Sequence, residues 1–452
     1  MTSSIISIGR SGAAAARAAI ELSAQNIANA NNPNYSRRSL ELSEFVSFAT
    51  IDNQPRGSFS GVEIGGVRRP GTELAQRAVR DSAGDLQRAD AELNGLRGAE
   101  LALEQSRIYE GLVNFEASLT LLTSDPTDPA LRTGAIESAR QLAQRFQFAD
   151  ASLDDVNTLI EGEIAVGVDK INGAAAEIAR INIDLAKARD GTAVKASLLD
   201  ARDAALRDLA EEFGVVATFD DKGVAEVRLV SDPLPPGESG VLLVSGGNFG
   251  ALTASLPGDG TVSFSLGGAS FSPLSGAMAG RSAALSSVAS QRSLLDDIAN
   301  QTITRANTAQ AAGVALNGSP GQPLFSGSGA AGITLALNDG AGLALAAAGS
   351  PAGSRDTANL ANLIAAFGAD DGPIAGTDRL LLDLSSRIAG LNTTREGLSI
   401  INQSAEAELL SETGVDLDAE AAALIRLQQA FEANGRVIQV ANDLFDTILG
   451  LS

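Results

Sequence analysis

The chain of 452 residues has no cysteine, no histidine and no tryptophan, and it contains two tyrosines. Without cysteine it can form neither a disulfide nor a thiolate metal site. Without histidine it lacks the commonest general base and the commonest transition-metal ligand. These absences exclude most catalytic triads and zinc sites. We therefore expect no catalytic residues, no bound metal and no cofactor, and a protein that is not an enzyme.

Adjacent acidic residues are the remaining candidates for acid–base catalysis, since paired carboxylates can hydrolyse glycosides. The pairs are Asp154-Asp155, Asp220-Asp221, Asp296-Asp297 and Asp370-Asp371. Neighbouring acids on a helix or turn usually point into solvent, because acidic side chains are seldom buried. The sequence therefore favours solvated surface at each pair over an active site.

Positive charge is also scarce, with 33 lysines and arginines against 55 acids and a net charge of -22. Nucleic acid and anionic membranes are therefore poor partners. No apolar run reaches the roughly 18 residues of a membrane span, so we expect no stable membrane insertion. Residues 1–8 lack the basic start and long apolar core of a secretory signal. If the protein is secreted, we expect a route without a cleaved signal peptide.

The C-terminal segment Gly414–Leu451 carries the strongest pattern in the sequence. Steps of three and four residues, typical of a helical seam, connect Leu417, Ala421, Leu424, Gln428, Phe431, Gly435, Ile438, Asn442, Phe445 and Leu449. A second row contains Leu427, Ala430, Asn434, Val437, Ala441, Leu444 and Ile448. Together the rows are wider than a two-stranded coiled coil needs. Gln428 and Asn442 are candidates for fixing the register, or alternatively are simply exposed.

The N-terminal segment has the same periodicity. Its row contains Ile5, Ile8, Gly12, Ala15, Ala19, Leu22, Asn26 and Asn29, and Pro33 ends the helix. Asn34 is predicted to adopt a left-handed backbone at this exit. Four arginines and one glutamate give residues 1–40 a charge of +3, while two arginines and seven acids give residues 412–452 a charge of -5. We predict that the two terminal helices pair.

Between the ends, the periodicity changes several times. Gly65-Gly66 reads as a turn between two short strands, and one helix is predicted from Thr72 to Leu122. Asp128 and Pro129 read as the cap and first turn of another helix. A β-hairpin is expected at Val215–Val230.

The expected fold is multidomain and mainly α-helical, with an inserted β domain and with the N- and C-terminal helices paired as a coiled-coil-like assembly region. Residues 1–70 with 413–452 would form terminal helices and an extended arm. Residues 71–213 with 276–412 would form a discontinuous helical domain, irregular at 313–376. Residues 214–275 would form the β domain.

Four stretches resemble the flagellar hook-associated protein 1 family. They are Asn29 with Tyr35-Ser36-Arg37, the segment GVEIGGVRR at Gly61–Arg69, the segment LLDARDAALRDL at Leu198–Leu209, and the segment GVDLDAE at Gly414–Glu420. Members commonly have glycine before the aromatic residue, where this chain has Asn34. The resemblance covers most of the chain.

The resemblance implies a structural axial protein that joins the hook of a bacterial flagellum to its filament. It would be exported through the flagellar type III apparatus and polymerise outside the cell. Its implied partners are copies of itself in a helical or ring assembly, the hook protein, adjacent hook-associated proteins, and an export chaperone at the C-terminal helix. The expected assembly contacts are Ile5, Ile8, Ala15, Ala19, Leu22, Asn29, Tyr35, Arg37, Leu417, Leu424, Phe431, Ile438, Asn442, Phe445 and Leu449.

Two alternatives stay open at this point. The chain could be another axial subunit, either a filament subunit or the second junction protein. It could also be a secreted protein whose amphipathic ends act on membranes, although interfacial helices favour lysine and arginine and the final helix is acidic.

Overall fold

A computed structural model describes residues 2–51, 54–234 and 239–450. The chain forms two compact units. The first contains Met1–Asp85, Lys170–Ala251 and Leu398–Ser452, and the second contains Leu86–Asp169 and Leu252–Gly397. The three predicted domain ranges stay a prediction.

Long helices dominate the first half of the chain, with one strand pair near its start. The elements are α1 (Thr2–Ala28), β1 (Ser39–Ile51), β2 (Gln54–Arg68), α2 (Glu73–Ser106), α3 (Ile108–Leu121), α4 (Pro129–Lys187) and α5 (Ala193–Glu212).

Short strands follow. They are β3 (Val215–Phe219), β4 (Ala225–Leu229), β5 (Ser231–Asp232), β6 (Val241–Ser245), β7 (Asn248–Phe249), β8 (Thr253–Ser255), β9 (Ser263–Leu266) and β10 (Ala269–Pro273).

The last part returns to helices. It contains α6 (Ala277–Ala312), β11 (Gly313–Val314), β12 (Phe325–Ser326), α7 (Gly329–Gly332), β13 (Thr334–Leu335), a 3-10 helix (Gly340–Gly342), β14 (Ala346–Ala347), α8 (Ala358–Gly368), α9 (Pro373–Thr413) and α10 (Leu417–Gly450). The predicted fold class is confirmed, since the chain is mainly helical with small inserted sheets and α1 packs against α10.

The β1–β2 arm corrects one local prediction. The two strands pair antiparallel from Ser39 opposite Arg68 to Ile51 opposite Gln54, so Gly65-Gly66 lies inside β2 and forms no turn. The pairing skips Gly65, which makes it an extra residue in a β-bulge. Gly66 has a φ of 149°, and a Cβ there would lie 2.6 Å from the Cα of Gly191. Glycine at position 66 therefore allows the backbone of β2 to lie close to the backbone at Gly191. The reversal between the strands lies outside the described residues.

One predicted helix is divided in the structure. The single helix expected up to Leu122 is broken at Arg107, whose φ of 52° is left-handed. The carbonyl oxygen of Arg107 accepts a hydrogen bond from Arg145 Nη1 at 2.8 Å. The predicted cap of α4 is present, because Asp128 Oδ1 accepts from the backbone N–H groups of Ala130 at 2.7 Å and Leu131 at 2.9 Å.

The inserted strands form small antiparallel sheets. In the first unit the order is β3-β4-β6-β7, and the predicted hairpin is found with Val215 opposite Leu229. Val227, Leu229 and Val244 are fully buried there. In the second unit β9 pairs with both β8 and β10.

The core of the second unit contains a cluster of aromatic rings, two of which come from the irregular segment 313–376. Phe115 packs edge-to-face on Phe325 and Phe367, with ring centroids 6.1 and 5.1 Å apart. All three rings are buried. Because Phe325 and Phe367 come from residues 313–376, this stretch is anchored to the helical core by aromatic packing.

Candidate assembly interface

The terminal helices α1 and α10 pack antiparallel at close range. A Cβ added to Gly9 would lie 2.8 Å from Ile438 Cγ1, and one added to Gly12 would lie 2.5 Å from Asn434 Oδ1. Further along α1, Ser23 contacts Glu420 at the start of α10. Residue numbers therefore increase along α1 where they decrease along the facing side of α10, as in an antiparallel pair. Glycine at positions 9 and 12 lets the two helices approach closely.

The contact covers one side of α10 only. Glu420 and Ala441 are buried, while Leu424, Asn434 and Ile438 are partly buried. Other apolar residues of α10 stay in solvent, with Ile425 57%, Val440 58% and Leu444 45% exposed. The excess apolar width read from the sequence is therefore present as uncovered surface.

The expected assembly residues fall into three groups. Ala15 and Leu22 are buried, and Ala19, Asn29, Tyr35, Arg37, Leu424 and Ile438 are partly buried. Exposed residues are Ile5, Ile8, Leu417, Phe431, Asn442 and Phe445. The side chain of Leu449 lies outside the described part of the chain. Gln428 is exposed like Asn442, whereas Asn434 and Glu420 face α1.

A buried carboxylate connects the beginning of α10 to α1. Glu420 is 2% exposed. Its Oε2 accepts from Ser23 Oγ at 2.7 Å, and its Oε1 accepts from Arg37 Nε at 2.7 Å and from Asn26 Nδ2 at 3.2 Å. Because the charge has an arginine partner and further donors, its burial is compensated. We name Ser23, Asn26, Arg37 and Glu420 the Glu420 node.

Asn26 also shapes the loop that follows α1. Its Nδ2 donates to the Arg38 carbonyl at 2.9 Å, and its Oδ1 accepts from the Arg38 N–H at 3.0 Å and the Tyr35 hydroxyl at 2.8 Å. Burial raises the pKa of Tyr35, an effect that the nearby Arg38 opposes. One amide side chain therefore fixes both the loop and the start of α10.

The loop at Asn34 has a different backbone from the one predicted. Among the described non-glycine residues only Arg107 has a positive φ, so the prediction of a left-handed backbone at Asn34 is wrong. The N–H of Asn34 instead donates to Asn32 Oδ1 at 3.0 Å. This side-chain turn bends the chain without a left-handed residue.

The arm is attached to α5 by ion pairs. Arg38, just before β1, pairs with Asp200 Oδ2 at 2.9 Å. Arg69, just after β2, pairs with Asp200 Oδ1 at 2.7 Å and with Asp203 Oδ2 at 2.5 Å. Both ends of the arm therefore meet at the same carboxylate. We name Arg38, Arg69, Asp200 and Asp203 the arm clamp.

Neighbouring arginines keep Asp203 of the arm clamp ionised. Burial by itself would raise the pKa of Asp203, but Arg202 and Arg69 outweigh it and hold the pKa below its usual value. The resemblance singled out Leu198–Leu209 without assigning partners to Asp200 and Asp203. Their spacing of three residues, which places both carboxylates on one helix face, was the available signal.

Neither a cluster of metal-ligand side chains nor a membrane-spanning helix is found in the described ranges. Histidine, cysteine, aspartate and glutamate side chains nowhere assemble into a group of three or more able to hold a metal ion. No membrane span is found among the described helices.

Two family comparisons cover separate parts of the chain. Residues 100–325 match the flagellar hook-associated protein FlgK helical domain. Residues 407–451, which contain α10, match the flagellar basal body rod FlgEFG protein C-terminal family. The α10 segment is therefore similar to a segment found in rod proteins.

Relatives with the printed name flagellar hook-associated protein 1 match about half of this chain. The Escherichia coli protein is 26% identical over 234 residues, covering 51% of this chain and 42% of that protein. The Salmonella typhimurium protein is 29% identical over 238 residues, with the same coverage. The Bacillus subtilis protein is 22% identical over 232 residues, covering 49% of this chain and 46% of that protein. The chain thus spans less than half the length of these relatives.

A solved structure shares the fold. The flagellar hook junction protein FlgK of Burkholderia pseudomallei aligns with a TM-score of 0.62 at 13% identity, covering 74% of this chain and 99% of that one. Because the helical-domain match at residues 100–325 covers half of the 452 residues, the chain belongs to the flagellar hook-associated protein FlgK family.

Proposed function

We propose that the chain is a structural subunit of the bacterial flagellum that joins the hook to the filament and polymerises outside the cell through α1 and α10. The observation that carries the proposal is the two-sided apolar surface of α10. One side packs on α1, while Val440, Leu444 and Phe445 on the rest of the helix remain 58%, 45% and 48% exposed.

The energetics favour covering this surface by assembly. Full burial of a valine, leucine or phenylalanine side chain contributes about 1.5–3 kcal/mol. Several such residues along one helix supply enough free energy to offset the cost of ordering the terminal helices. Neighbouring copies, each with the same α1–α10 pair, are the proposed cover.

The proposed partners follow from the family and from the same surface. They are copies of this chain, the hook protein and adjacent hook-associated proteins. An export chaperone would bind α10 before export, when the face that later packs on α1 is also open. Export through the flagellar type III apparatus is part of the proposal. The proposed role is structural and requires no catalytic residue.

Deletion of residues 414–452 tests the proposal in a bacterium that lacks its own copy of the protein. We expect the truncated chain to keep a folded second unit, measured by circular dichroism and limited proteolysis. We also expect it to be absent from hook–filament junctions in sheared flagella and to support no filament. A truncated chain that still enters the junction and supports filament growth would contradict the mechanism.

A point variant sharpens this experiment. Phe431→Ser removes an exposed apolar side chain from α10, and Gln429→Ser is a matched control at an exposed polar position nearby. We expect the first variant to reduce junction occupancy and the control to leave it unchanged. If the intact protein were found elsewhere along the axial structure, it would be another axial subunit, such as a filament subunit or the second junction protein.

A further inference from the structure

Four asparagines of the chain are followed directly by glycine. They are Asn94, Asn172, Asn317 and Asn434. Asparagine is a thermolabile residue, because the backbone nitrogen of the next residue can attack its side-chain carbonyl carbon, Cγ. Glycine at that next position has no Cβ and leaves the attacking nitrogen unhindered. The sequence therefore offers four places for this reaction, and the fold decides between them.

Three of the four pairs lie inside long helices. Asn94 belongs to α2, Asn172 to α4 and Asn434 to α10. Within a helix the N–H of the glycine is bonded to the carbonyl oxygen four residues earlier, and turning its nitrogen onto Cγ breaks the regular backbone. Attack there requires local unfolding of the helix. The folded state therefore protects these three asparagines.

The fourth pair lies in an exposed turn of the second unit. Asn317 and Ser319 are exposed, and Gly318 between them has a φ of 81°. The N–H of Gly318 donates to the carbonyl oxygen of Ala315 at 2.9 Å, which closes the turn. Attack by the Gly318 nitrogen therefore requires the opening of one surface hydrogen bond, whereas the other pairs require the opening of a stretch of helix.

Ser319 prepares the side-chain carbonyl group of Asn317 for attack. Asn317 Oδ1 accepts from the N–H of Ser319 at 2.9 Å and from its Oγ at 2.6 Å. Negative charge develops on this oxygen when a nitrogen adds to Cγ, and donors that are already in place stabilise it, as in an oxyanion hole. Asn317 Nδ2 is the leaving group, and no hydrogen bond within the described residues holds it.

From these observations we infer that Asn317 is a site of spontaneous deamidation in the folded protein. The Gly318 nitrogen forms a bond to Cγ of Asn317, and the bond between Cγ and Nδ2 breaks. The Gly318 N–H proton is lost to water, and Nδ2 takes up a proton and leaves as ammonia. Water then opens the resulting succinimide at either carbonyl, which gives aspartate or isoaspartate at position 317. The inference concerns the chain alone and does not depend on the proposed function.

The reaction changes the turn. Both products add one negative charge at neutral pH. In isoaspartate the main chain runs through Cβ and Cγ, so the turn contains an additional carbon atom. The N–H of Ala315 donates to the Ser319 carbonyl oxygen at 2.8 Å across this turn. We expect the longer chain to weaken this bond and the Gly318 bond, so that amide hydrogen exchange at Ala315 and Gly318 becomes faster as isoaspartate accumulates.

Incubation of the purified full chain at neutral pH tests the inference. Peptide mass spectrometry measures deamidation at each of the four pairs, and a protein isoaspartate methyltransferase detects the isoaspartate product. We expect the rate at Asn317 to exceed the rate at each helical pair by about tenfold or more. In urea the four rates should become similar, because unfolding removes the protection of the helices. Equal rates at all four pairs in the folded chain would overturn the inference. It would also fail if Asn317 reacted in urea but not in the folded chain.

Two variants at position 319 test the contribution of the hydroxyl group. Ser319→Ala removes the Oγ donor and keeps the N–H donor, so we expect deamidation of Asn317 in the folded chain to slow about threefold. Ser319→Thr keeps a hydroxyl group and should react at close to the original rate. In urea the three chains should react at similar rates, because the turn is absent. A folded Ser319→Ala chain that reacts as fast as the unmodified chain would overturn the role given to Ser319.

Discussion

Arg37 Nε donates a hydrogen bond of 2.7 Å to Glu420 Oε1, and this ion pair joins the loop after α1 to the first turns of α10. Arg37 keeps 42% of its side chain in solvent, whereas Glu420 keeps 3%. The pair therefore has one accessible and one buried member. Loss of the carboxylate's hydrogen bonds would cost more than loss of the arginine's, because the buried carboxylate has no water to replace Ser23, Asn26 and Arg37 as donors.

Replacement of the buried carboxylate should loosen α10. We expect Glu420→Gln to lower the free energy of unfolding of the α1–α10 pair by about 2 kcal/mol. One of the two acceptor oxygens becomes an NH2 group that cannot accept, and the bonds to the other oxygen become bonds to a neutral acceptor. Amide hydrogen exchange along α10 measures the effect. Glu432→Gln, the same change at an exposed residue of α10, should leave exchange unchanged. Equal protection in both variants would show that the node contributes little.

The amide of Asn26 should be required for the node. In Asn26→Asp the two Nδ2 donor bonds to Arg38 and Glu420 are lost, and a new carboxylate faces Glu420. We expect a loss of about 3 kcal/mol at pH 7. The neighbouring charge raises the folded-state pKa of the new acid above its unfolded value of about 3.9. The repulsion is therefore complete above that raised pKa and decreases as the pH falls towards 4.

Urea unfolding of Asn26→Asp at several pH values measures this dependence. Asn32→Asp is the matched control, because Asn32 is exposed and its side-chain oxygen, which accepts from Asn34, is retained. We expect the control to follow the unmodified protein at every pH. A penalty for Asn26→Asp that does not change with pH would rule out charge repulsion as its cause.

The arm clamp should make the first unit sensitive to acid. The pKa of Asp203 in the folded protein is held below its ordinary value. The ionised Asp203 carboxylate therefore stabilises the fold, and this contribution is fully present above the unfolded-state pKa of about 3.9. That stability is lost as the pH falls through the depressed folded-state pKa. Asp203→Asn should cost about 3 kcal/mol at pH 7, because Arg69 and Arg202 lose a buried partner. It should also flatten the pH dependence below about pH 4.

Asp208→Asn is the control for this experiment, since it is the same change at an exposed position of α5. Its unfolding free energy should follow that of the unmodified protein from neutral to acidic pH. The clamp explanation fails if the two variants lose equal stability at pH 7.

Local patterns predicted the helices well, and they also show where sequence reasoning ends. The rows of α1 and α10, the Asp128 cap and the β3–β4 hairpin depend on neighbouring residues, so their signals lie within one stretch of sequence. Gly65-Gly66 could form a turn or a bulge, because glycine permits both. The choice depends on which residues of β1 pair with it, and short-range periodicity does not record that pairing.

The Glu420 node was missed for a related reason. Glu420 stands in the first turn of α10, where an acid normally favours the helix dipole from the surface. Its burial depends on Ser23, which lies 397 residues away in the sequence. The sequence did predict that the ends attract. It assigned the attraction to general charge, whereas the structure uses one specific buried carboxylate.

The break at Arg107 offers a test of backbone strain in the second unit. A left-handed conformation costs a residue with a Cβ roughly 1–2 kcal/mol, and glycine avoids this cost but is more flexible when unfolded. We expect Arg107→Gly to stabilise the protein by about 0.5–1 kcal/mol in thermal unfolding. Arg107→Ala keeps the strain and loses the same exposed side chain, so it should give no gain. A gain of the same size in both would assign the effect to the side chain.

The close approach of the terminal helices depends on Gly12. Alanine normally stabilises a helix interior by about 1 kcal/mol relative to glycine. We expect this gain in Gly435→Ala, because no atom lies within 4 Å of the new Cβ. In Gly12→Ala the new Cβ meets Asn434 Oδ1 at 2.5 Å, so we expect overpacking to destabilise the α1–α10 pair by about 1–3 kcal/mol.

The double variant Gly12→Ala with Asn434→Ala separates this clash from a general need for glycine. Removal of the Asn434 amide makes room for the new methyl group, and we expect most of the lost stability to return, as measured by hydrogen exchange along α1 and α10. Asn434→Ala alone would leave a gap opposite Gly12 and cost some packing. If the double variant is no more stable than Gly12→Ala, then Asn434 is not the residue that limits how closely the two helices approach.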